Sequence, residues 1–146
     1  MQLNSDFRDF IKLLNTHKIK YILIGAFVRA YYGRPRYTGD MDIFIEPSPD
    51  NAEKMMKVLS DFGFSNIGLV SDDFIIPDQT IQLGNEPRRI DILTGIAGVM
   101  FENAWANKEI AEIDNLTINI MHKDDFIKNK KALGRHKDLA DIEEIL

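Results

Sequence analysis

The sequence lacks several features that would mark it as secreted, membrane-bound or thiol-dependent. Its 146 residues include no cysteine, which excludes a disulfide framework and a thiolate metal site. No apolar run approaches the roughly 20 residues that a membrane-spanning helix needs. The first residues are polar and do not form the basic and apolar segments of a secretory leader. We therefore expect a soluble, cytoplasmic protein that does not bind membranes.

Basic residues are fewer than acidic ones, 18 against 23, and they are unevenly distributed. The net charge of −5 argues against broad, non-specific binding to nucleic acid. Residues 122–137 nevertheless contain six Lys or Arg against two acids, so this segment is +4 and the remainder is −9. The basic segment favours an anionic partner, and a bound nucleoside triphosphate would be sufficient to explain it.

Length and composition predict one globular domain spanning residues 1–146. Hydrophobic residues make up 45% and charged residues 28% of the chain, which is ordinary for a soluble domain with a real core. Strand and helix patterns alternate along the sequence, which is typical of an α/β (α+β) fold. We expect a core over residues 18–121 and a helical tail over residues 122–146.

Hydrophobic periodicity and breaker residues predict the individual elements. The first helix should begin at a cap formed by Ser5 or Asp6, and Gly33, Gly63 and Gly134 should end later helices. The predicted helices cover residues 27–32, 50–62, 97–106, 123–133 and 137–146. The predicted strands cover residues 21–24, 40–45, 64–69, 74–76, 80–83, 88–93, 109–113 and 116–120.

Two carboxylates, Asp40 and Asp42, stand at the head of the predicted strand 40–45. Side chains alternate along a strand, so both should point to one face while Met41 and Ile43 point to the other. Two like charges this close repel each other unless a cation lies between them. Mg²⁺ suits such a site because it prefers carboxylate oxygens together with substrate phosphates. The alternative is a solvated strand end that happens to carry two acids.

A third acid and a small turn complete the candidate site. Asp91 lies in the predicted strand 88–93, and three acids on adjacent strands could hold the metal ions used in phosphoryl and nucleotidyl transfer. Gly25 and Ala26 follow the strand 21–24 and open a helix, where backbone N–H groups could hold phosphate oxygens. As an isolated dipeptide, this turn would carry little information.

These segments together resemble the core signature of the nucleotidyltransferase superfamily. The resemblance rests on Gly25-Ala26, on Thr38-Gly39-Asp40-Met41-Asp42-Ile43 and on Arg89-Ile90-Asp91-Ile92-Leu93. The superfamily includes DNA polymerase β, aminoglycoside nucleotidyltransferases and minimal enzymes of toxin–antitoxin systems. The C-terminal run from Asn129 to Asp141 is similar to the tail of a small prokaryotic branch, close to the AbiE-type toxin nucleotidyltransferases.

The resemblance implies a fold, a chemistry and a role for each acid. The implied fold is a mixed sheet flanked by helices. It implies transfer of a nucleoside monophosphate from a nucleoside triphosphate to an acceptor hydroxyl, with Mg²⁺ or, alternatively, Mn²⁺. Asp40 and Asp42 would bind the metal, and Asp91 would complete the site and help to deprotonate the acceptor. The family usually has Gly-Gly or Gly-Ser where this chain has Gly25-Ala26. Alanine keeps the backbone amide but lacks the hydroxyl of serine. Gly25-Ala26 therefore supports phosphate binding less strongly than Gly-Ser would.

Several residues near these motifs are candidates for binding the nucleotide. Besides Gly25 and Ala26, we single out Arg36, Thr38, Lys130 and Arg135. Arg36 could equally form a surface ion pair, Thr38 could be structural, and the two tail residues could belong to a solvated basic face. Four further charged residues have other expected roles. Arg29 should be structural or face solvent, and Arg89 should pair with a site acid or contact triphosphate. Asp138 and Asp141 should hold the Lys130/Arg135 pair or cap the last helix.

Two other functions remain open at this stage. The chain could be a catalytically silent binding module, for instance an antitoxin-like partner protein. It could also be a metal-dependent phosphohydrolase, although the order of its motifs fits that class less well. The sequence does not identify the acceptor, which could be a small hydroxyl compound, a tRNA end or a protein side chain.

Overall fold

A computed structural model describes residues 3–33, 39–64, 67–85 and 88–146 of the chain. Six strands form one mixed sheet in the order β3-β4-β2-β1-β6-β5. The pairs β2–β4 and β1–β6 are parallel, whereas β1–β2, β3–β4 and β5–β6 are antiparallel. The strands are β1 Tyr21–Ile24, β2 Asp40–Ile45, β3 Thr80–Leu83, β4 Arg89–Leu93, β5 Glu109–Ile113 and β6 Leu116–Ile120.

Six α-helices accompany the sheet, which confirms the predicted α+β class. They are α1 Ser5–Thr16, α2 Ala26–Tyr32, α3 Pro49–Phe62, α4 Phe101–Asn107, α5 Lys123–Leu133 and α6 His136–Ile145. Helix α1 packs against α3 and β6, while α2 contacts β1, β2, α5 and α6. The last two helices pack against each other and, through α2, are held near the centre of the sheet. None of the helices in the described part of the chain has the length and apolar character that a membrane span requires.

The central strands form the core because their sequences are almost entirely apolar. All four residues of β1 are buried, and β2 is buried from Ile43 to its end. A strand covered on both faces reads as a continuous apolar run, which explains why β1 could be predicted from sequence. The start of β2 is different, because Asp40 and Asp42 are only half-buried there. The two acids of β2 therefore lie at the edge of the apolar core.

Residues with left-handed backbone conformations end two helices as predicted and join the predicted strands 109–113 and 116–120 in a hairpin. Gly63 and Gly134 have φ values of 100° and 68° at the C-terminal ends of α3 and α5, where glycine is favoured because it has no Cβ. Asp114 and Asn115 join β5 to β6 with φ values of 53° and 62°. Two successive positive φ values match the tight turn that joins twisted antiparallel strands.

Two of the predicted strands are wrong. The described residues of segment 64–69 contain no strand. Segment 74–76 forms no strand either, because Phe74 is the last residue of a 3₁₀ helix, Ser71–Phe74. The Asp73 carboxylate accepts a hydrogen bond from the Val70 N–H at 2.8 Å. Such local bonds compete with strand pairing, and Phe74 is buried in the core from this turn rather than from a sheet.

Two helix starts also differ from the prediction. The cap of α1 is Asn4 rather than Ser5 or Asp6, because the Asn4 side chain accepts a hydrogen bond from the Phe7 N–H at 2.9 Å. Helix α4 begins at Phe101 rather than at residue 97. The preceding residues form an isolated β-bridge between Ile96 and Val99, which surrounds Gly98 with its φ of 77°. A glycine in that conformation does not continue a helix.

Candidate active site

Three carboxylates meet on one face of the sheet, where β2 begins and β4 passes beside it. The register of these parallel strands pairs Asp42 with Asp91. Because side chains alternate along a strand, Asp40 and Asp42 share a face. One carboxylate oxygen of each of Asp40, Asp42 and Asp91 lies within 4.8 Å of the other two. The structure thus brings together the three acids that sequence analysis selected.

The donor set of this cluster suits a divalent cation. All three ligands are hard carboxylate oxygens, the type that Mg²⁺ prefers. Asp91 is only 9% exposed, and the Nε of Arg89 lies 3.3 Å from its buried Oδ1 atom. Burial of carboxylates is costly unless cations compensate their charge, and three carboxylates carry more negative charge than one guanidinium offsets. The cluster can therefore hold a metal ion.

Burial raises the pKa of two acids of the cluster, Asp42 and Asp91. Burial, together with the negative charges of Asp40 and Asp91, raises the pKa of Asp42 to about 7. Burial also raises the pKa of Asp91, although the positive charge of Arg89 opposes that shift. A raised pKa means that the ionised form is disfavoured in the folded, metal-free protein. A cation bound between these carboxylates would remove that penalty.

Gly25 lies directly against one of the carboxylates. A Cβ atom built at this position would approach Asp42 Oδ2 to 2.2 Å, a distance that requires a shift. The φ of Gly25 is 69°, so this position favours glycine on backbone grounds as well. Ala26 follows as the first residue of α2. The absence of a side chain at residue 25 is therefore part of the geometry that positions Asp42.

Arg89 provides positive charge inside the cluster. The strand register places it opposite Asp40, and its Nη2 donates a hydrogen bond to Asp40 Oδ2 at 3.0 Å. Its Nε lies 3.3 Å from Asp91 Oδ1. The sequence left open whether Arg89 pairs with a site acid or contacts triphosphate. In the structure its side chain pairs with two site acids.

A cleft of about 330 Å³ opens beside Asp42 and continues beneath the C-terminal helices. Helix α5 contributes Lys130 and Asn129 to its wall, and the α5–α6 connection contributes Arg135. The Lys130 side chain is only 12% exposed, and its charge lowers the pKa of Asp42, against the larger effects of burial and of the other acids. The remaining lining residues are Ile24, Gly25, Leu93, Gly95, Ile96, Ala97 and Leu133.

A chain of ion pairs anchors the basic residues of this cleft. Lys130 Nζ lies 3.5 Å from Asp138 Oδ1 and 3.3 Å from Asp141 Oδ2. Arg135 donates to the fully buried Asp138 through Nε at 2.6 Å and Nη2 at 3.2 Å, and these bonds lower the pKa of Asp138 to about 2. Arg29 of α2 closes the chain at Asp141, at 2.6 Å. The expected structural roles of Arg29, Asp138 and Asp141 are confirmed.

Other residues of the site were either missed by sequence analysis or lie beyond the described part of the chain. Arg36 and Thr38 fall outside the described residues. Asn129 was missed: it is buried, and its side-chain amide donates a hydrogen bond to the Ala97 carbonyl at 2.9 Å, which ties α5 to the segment after β4. A weak signal for this role was available, because asparagine is a poor helix former yet lies mid-helix among lysines.

Comparisons with known proteins agree with this geometry. No curated protein matches the sequence. A protein-family model described as "Nucleotidyl transferase of unknown function (DUF2204)" matches residues 4–146. The match includes all three acids, Gly25 and both C-terminal helices, and it confirms the superfamily resemblance; the AbiE-type branch stays a prediction. Since the match spans nearly the entire sequence, the chain belongs to this family of nucleotidyl transferases of unknown function.

Proposed function

We propose that the protein transfers a nucleoside monophosphate from a nucleoside triphosphate to an acceptor hydroxyl. Asp40, Asp42 and Asp91 would hold Mg²⁺, or alternatively Mn²⁺. One observation carries the proposal: three carboxylates converge within 4.8 Å of one another beside a cleft lined by Lys130 and Arg135. Acids for a metal next to cations for phosphate form the arrangement that nucleotidyl transfer requires.

In the proposed reaction the protein orients groups and moves one proton. The acceptor oxygen forms a bond to the α-phosphorus, the bond to the β-phosphate oxygen breaks, and pyrophosphate leaves. When bound, the metal would neutralise phosphate charge and polarise the reacting oxygens. Asp91 would accept the proton of the acceptor hydroxyl, a role that suits a carboxylate whose pKa burial raises.

Binding of the triphosphate would depend on residues from both ends of the chain. Lys130 and Arg135 line the cleft and would contact phosphate oxygens. The N–H groups at Gly25 and Ala26 would contribute as well, although Ala26 offers no hydroxyl. Arg36 and Thr38 stay in the proposed nucleotide site because they lie just before the acid pair in the sequence and because the guanidinium fork of Arg36 suits phosphate. Because Ala26 contributes less than serine would, the two tail cations would carry a larger share of phosphate binding.

A catalytically silent binding module is the second candidate. Arg89 favours it, because its contacts with Asp40 at 3.0 Å and Asp91 at 3.3 Å offset acidic charge without a metal. The two candidates differ in their response to ligands. An enzyme of this kind should gain thermal stability from Mg²⁺ together with ATP or GTP, whereas a silent module should not.

The decisive experiment is transfer of label. Each of the four triphosphates, labelled at the α-phosphate, would be incubated with protein, Mg²⁺ and cell extract. We expect one acceptor to become labelled and pyrophosphate to be released, and Asp42→Asn should abolish both. Release of inorganic phosphate without labelling would identify a phosphohydrolase. No labelling, with no ligand-induced stabilisation, would favour the silent module.

The same experiment would identify the acceptor, for which three classes are proposed: a small hydroxyl compound, a tRNA end or a protein side chain.

We further propose that the chain works as one domain in the cytoplasm. A partner protein of the toxin–antitoxin type belongs to this proposal, because the tail from Asn129 to Asp141 carries the resemblance to that branch.

A further inference from the structure

Arg89 is fixed between two of the three candidate metal ligands by the sheet itself. It lies two residues before Asp91 on β4 and directly across from Asp40 on β2, so its side chain shares their face. Cross-strand neighbours of opposite charge interact favourably. The position is therefore set by backbone pairing, and it does not depend on a flexible loop.

The two contacts of Arg89 with these ligands are unequal. Nη2 donates a hydrogen bond to Asp40 Oδ2 at 3.0 Å. Nε lies 3.3 Å from Asp91 Oδ1. The contact with Asp91 is therefore the longer of the two.

A metal and this guanidinium would compete for the same negative charge. Mg²⁺ needs carboxylate oxygens at about 2.0–2.1 Å, and a dication so close to Asp40 and Asp91 would repel a guanidinium that contacts both. The Arg89 side chain is 27% exposed, so it has access to solvent. The repulsion between the metal ion and the guanidinium would be strong, because both charges would lie in partly buried surroundings.

The geometry points to Arg89 as an internal counter-ion, which holds Asp40 and Asp91 together in the metal-free protein and releases them when the metal binds. Arg89 thereby weakens the affinity of the site for metal alone. Once released, its guanidinium faces the cluster and is available to the triphosphate that arrives with the metal. The inference rests on the metal site in the proposed function and adds a residue that sets metal affinity.

The test measures metal binding to the nucleotide-free protein, by calorimetry with Mg²⁺ and by spin resonance with Mn²⁺. Arg89→Gln should bind either ion about tenfold more tightly than the wild type, because a competing charge is removed. Without metal, Arg89→Gln should unfold at a lower temperature than the wild type, and saturating Mg²⁺ should close that gap. A merely structural arginine would leave the gap open.

Arg88→Gln is the matched control. Arg88 precedes Arg89 but pairs with Asp6 of α1 at 3.2 Å, so its removal changes the net charge equally without touching the cluster. Its metal affinity should stay within about twofold of the wild type, since exposed charges are screened. Arg89→Lys keeps the charge but not the planar fork, and it provides a second variant should Arg89→Gln fold poorly. Its affinity for metal should fall between that of the wild type and that of Arg89→Gln.

The outcomes separate this inference from the proposed function. If the wild type binds metal and neither Arg89 variant binds it more tightly, the counter-ion role is overturned and the metal site stands. If Arg88→Gln tightens binding as much as Arg89→Gln, the effect is one of net charge, and the inference again fails. If no variant binds metal, the metal site and the inference are overturned together.

Discussion

At the scale of single residues, Gly25 and Asp42 depend on each other. The carboxylate lies where the side chain of any other residue at position 25 would begin, at 2.2 Å from an added Cβ. Residue 24 pairs with Asp42 across the antiparallel strands, which brings the turn after β1 over the acid. The glycine is thus needed both for its backbone conformation and for the space that it leaves.

We predict that Gly25→Ala impairs metal binding more than it impairs folding. The methyl group must displace the Asp42 carboxylate, and the φ of 69° adds strain. The free energy of unfolding should fall by about 1–3 kcal/mol, and calorimetry should detect weakened Mg²⁺ binding. Gly68→Ala is the control, because it has a similar φ of 81° but no atom within 4 Å of the added Cβ. Weakened metal binding in both variants would contradict the role of Gly25.

The raised pKa of Asp42 predicts how stability depends on pH. Its pKa is about 7 in the folded protein, against an ordinary value of 3.8, so the folded state binds the proton more tightly. Metal-free wild type should therefore lose stability relative to Asp42→Asn as the pH rises from about 4 to about 7. The free energy of unfolding should change by about 1.4 kcal/mol for each unit by which the pKa is shifted. Chemical denaturation of both proteins with chelator measures this difference.

Saturating Mg²⁺ provides the complementary measurement for the same residue. A bound dication favours the ionised carboxylate, so the pH-dependent loss in the wild type should disappear. Asp42→Asn should show no comparable change. If the free energy of unfolding varies with pH in the same way for the wild type and Asp42→Asn, both with and without metal, then Asp42 is an ordinary surface acid.

The candidate acids could be predicted from sequence because the signal is local. Asp40 and Asp42 differ by two positions, the period of a strand, and Asp91 lies in an equally plain strand pattern. The contact between Gly25 and Asp42 could not be predicted, since it depends on which strands pair and in what register. The buried role of Asn129 depends in the same way on a distant partner, the Ala97 carbonyl.

At the scale of elements, sequence patterns succeeded where apolar residues and breakers agreed. Strands β1 and β3 and helix α5 lie where the patterns predicted them. Segments 64–69 and 74–76 failed because short apolar runs do not distinguish a strand from a turn that buries one aromatic side chain. The order of the strands in the sheet followed from no local pattern, because it joins β2 to β4 across α3, a 3₁₀ helix and β3, and β1 to β6 across most of the chain.

Helices α5 and α6 form the element that supplies positive charge to the cleft. Lys130→Ala should weaken triphosphate binding by about 1.5–3 kcal/mol, the range for a hydrogen bond to a charged group. The fold should persist, because Asp138 keeps Arg135 and Asp141 keeps Arg29 as partners. Calorimetry with Mg²⁺ and triphosphate is the measurement.

Lys131→Ala is the control for that variant, because this neighbouring lysine of α5 is exposed and does not line the cleft. It should bind triphosphate nearly as the wild type does. Equal losses in the two variants would reduce the tail to a general basic surface, and no loss in Lys130→Ala would remove it from the nucleotide site.

At the scale of the whole molecule, the fold corrects an imbalance of charge that is visible in the sequence. Residues 122–137 carry +4 while the rest of the chain carries −9. Helix α2 contacts both C-terminal helices as well as β1 and β2, so it holds the basic tail beside the strands that carry the acids. The cleft beside Asp42 is formed by residues more than a hundred positions apart, from Ile24 to Arg135.

Since both charged parts belong to one cleft, metal and triphosphate should stabilise the molecule together. At a ligand concentration of 100 times Kd, binding adds about 2.7 kcal/mol to the free energy of unfolding. For a protein of 146 residues we therefore expect Tm to rise by about 5–10 °C in the presence of Mg²⁺ and triphosphate. Triphosphate with chelator should give a much smaller rise, because Mg²⁺ offsets the repulsion between phosphates and the acids. Asp42→Asn should abolish the metal-dependent part, whereas a rise of equal size with chelator would show that triphosphate binds away from the three acids.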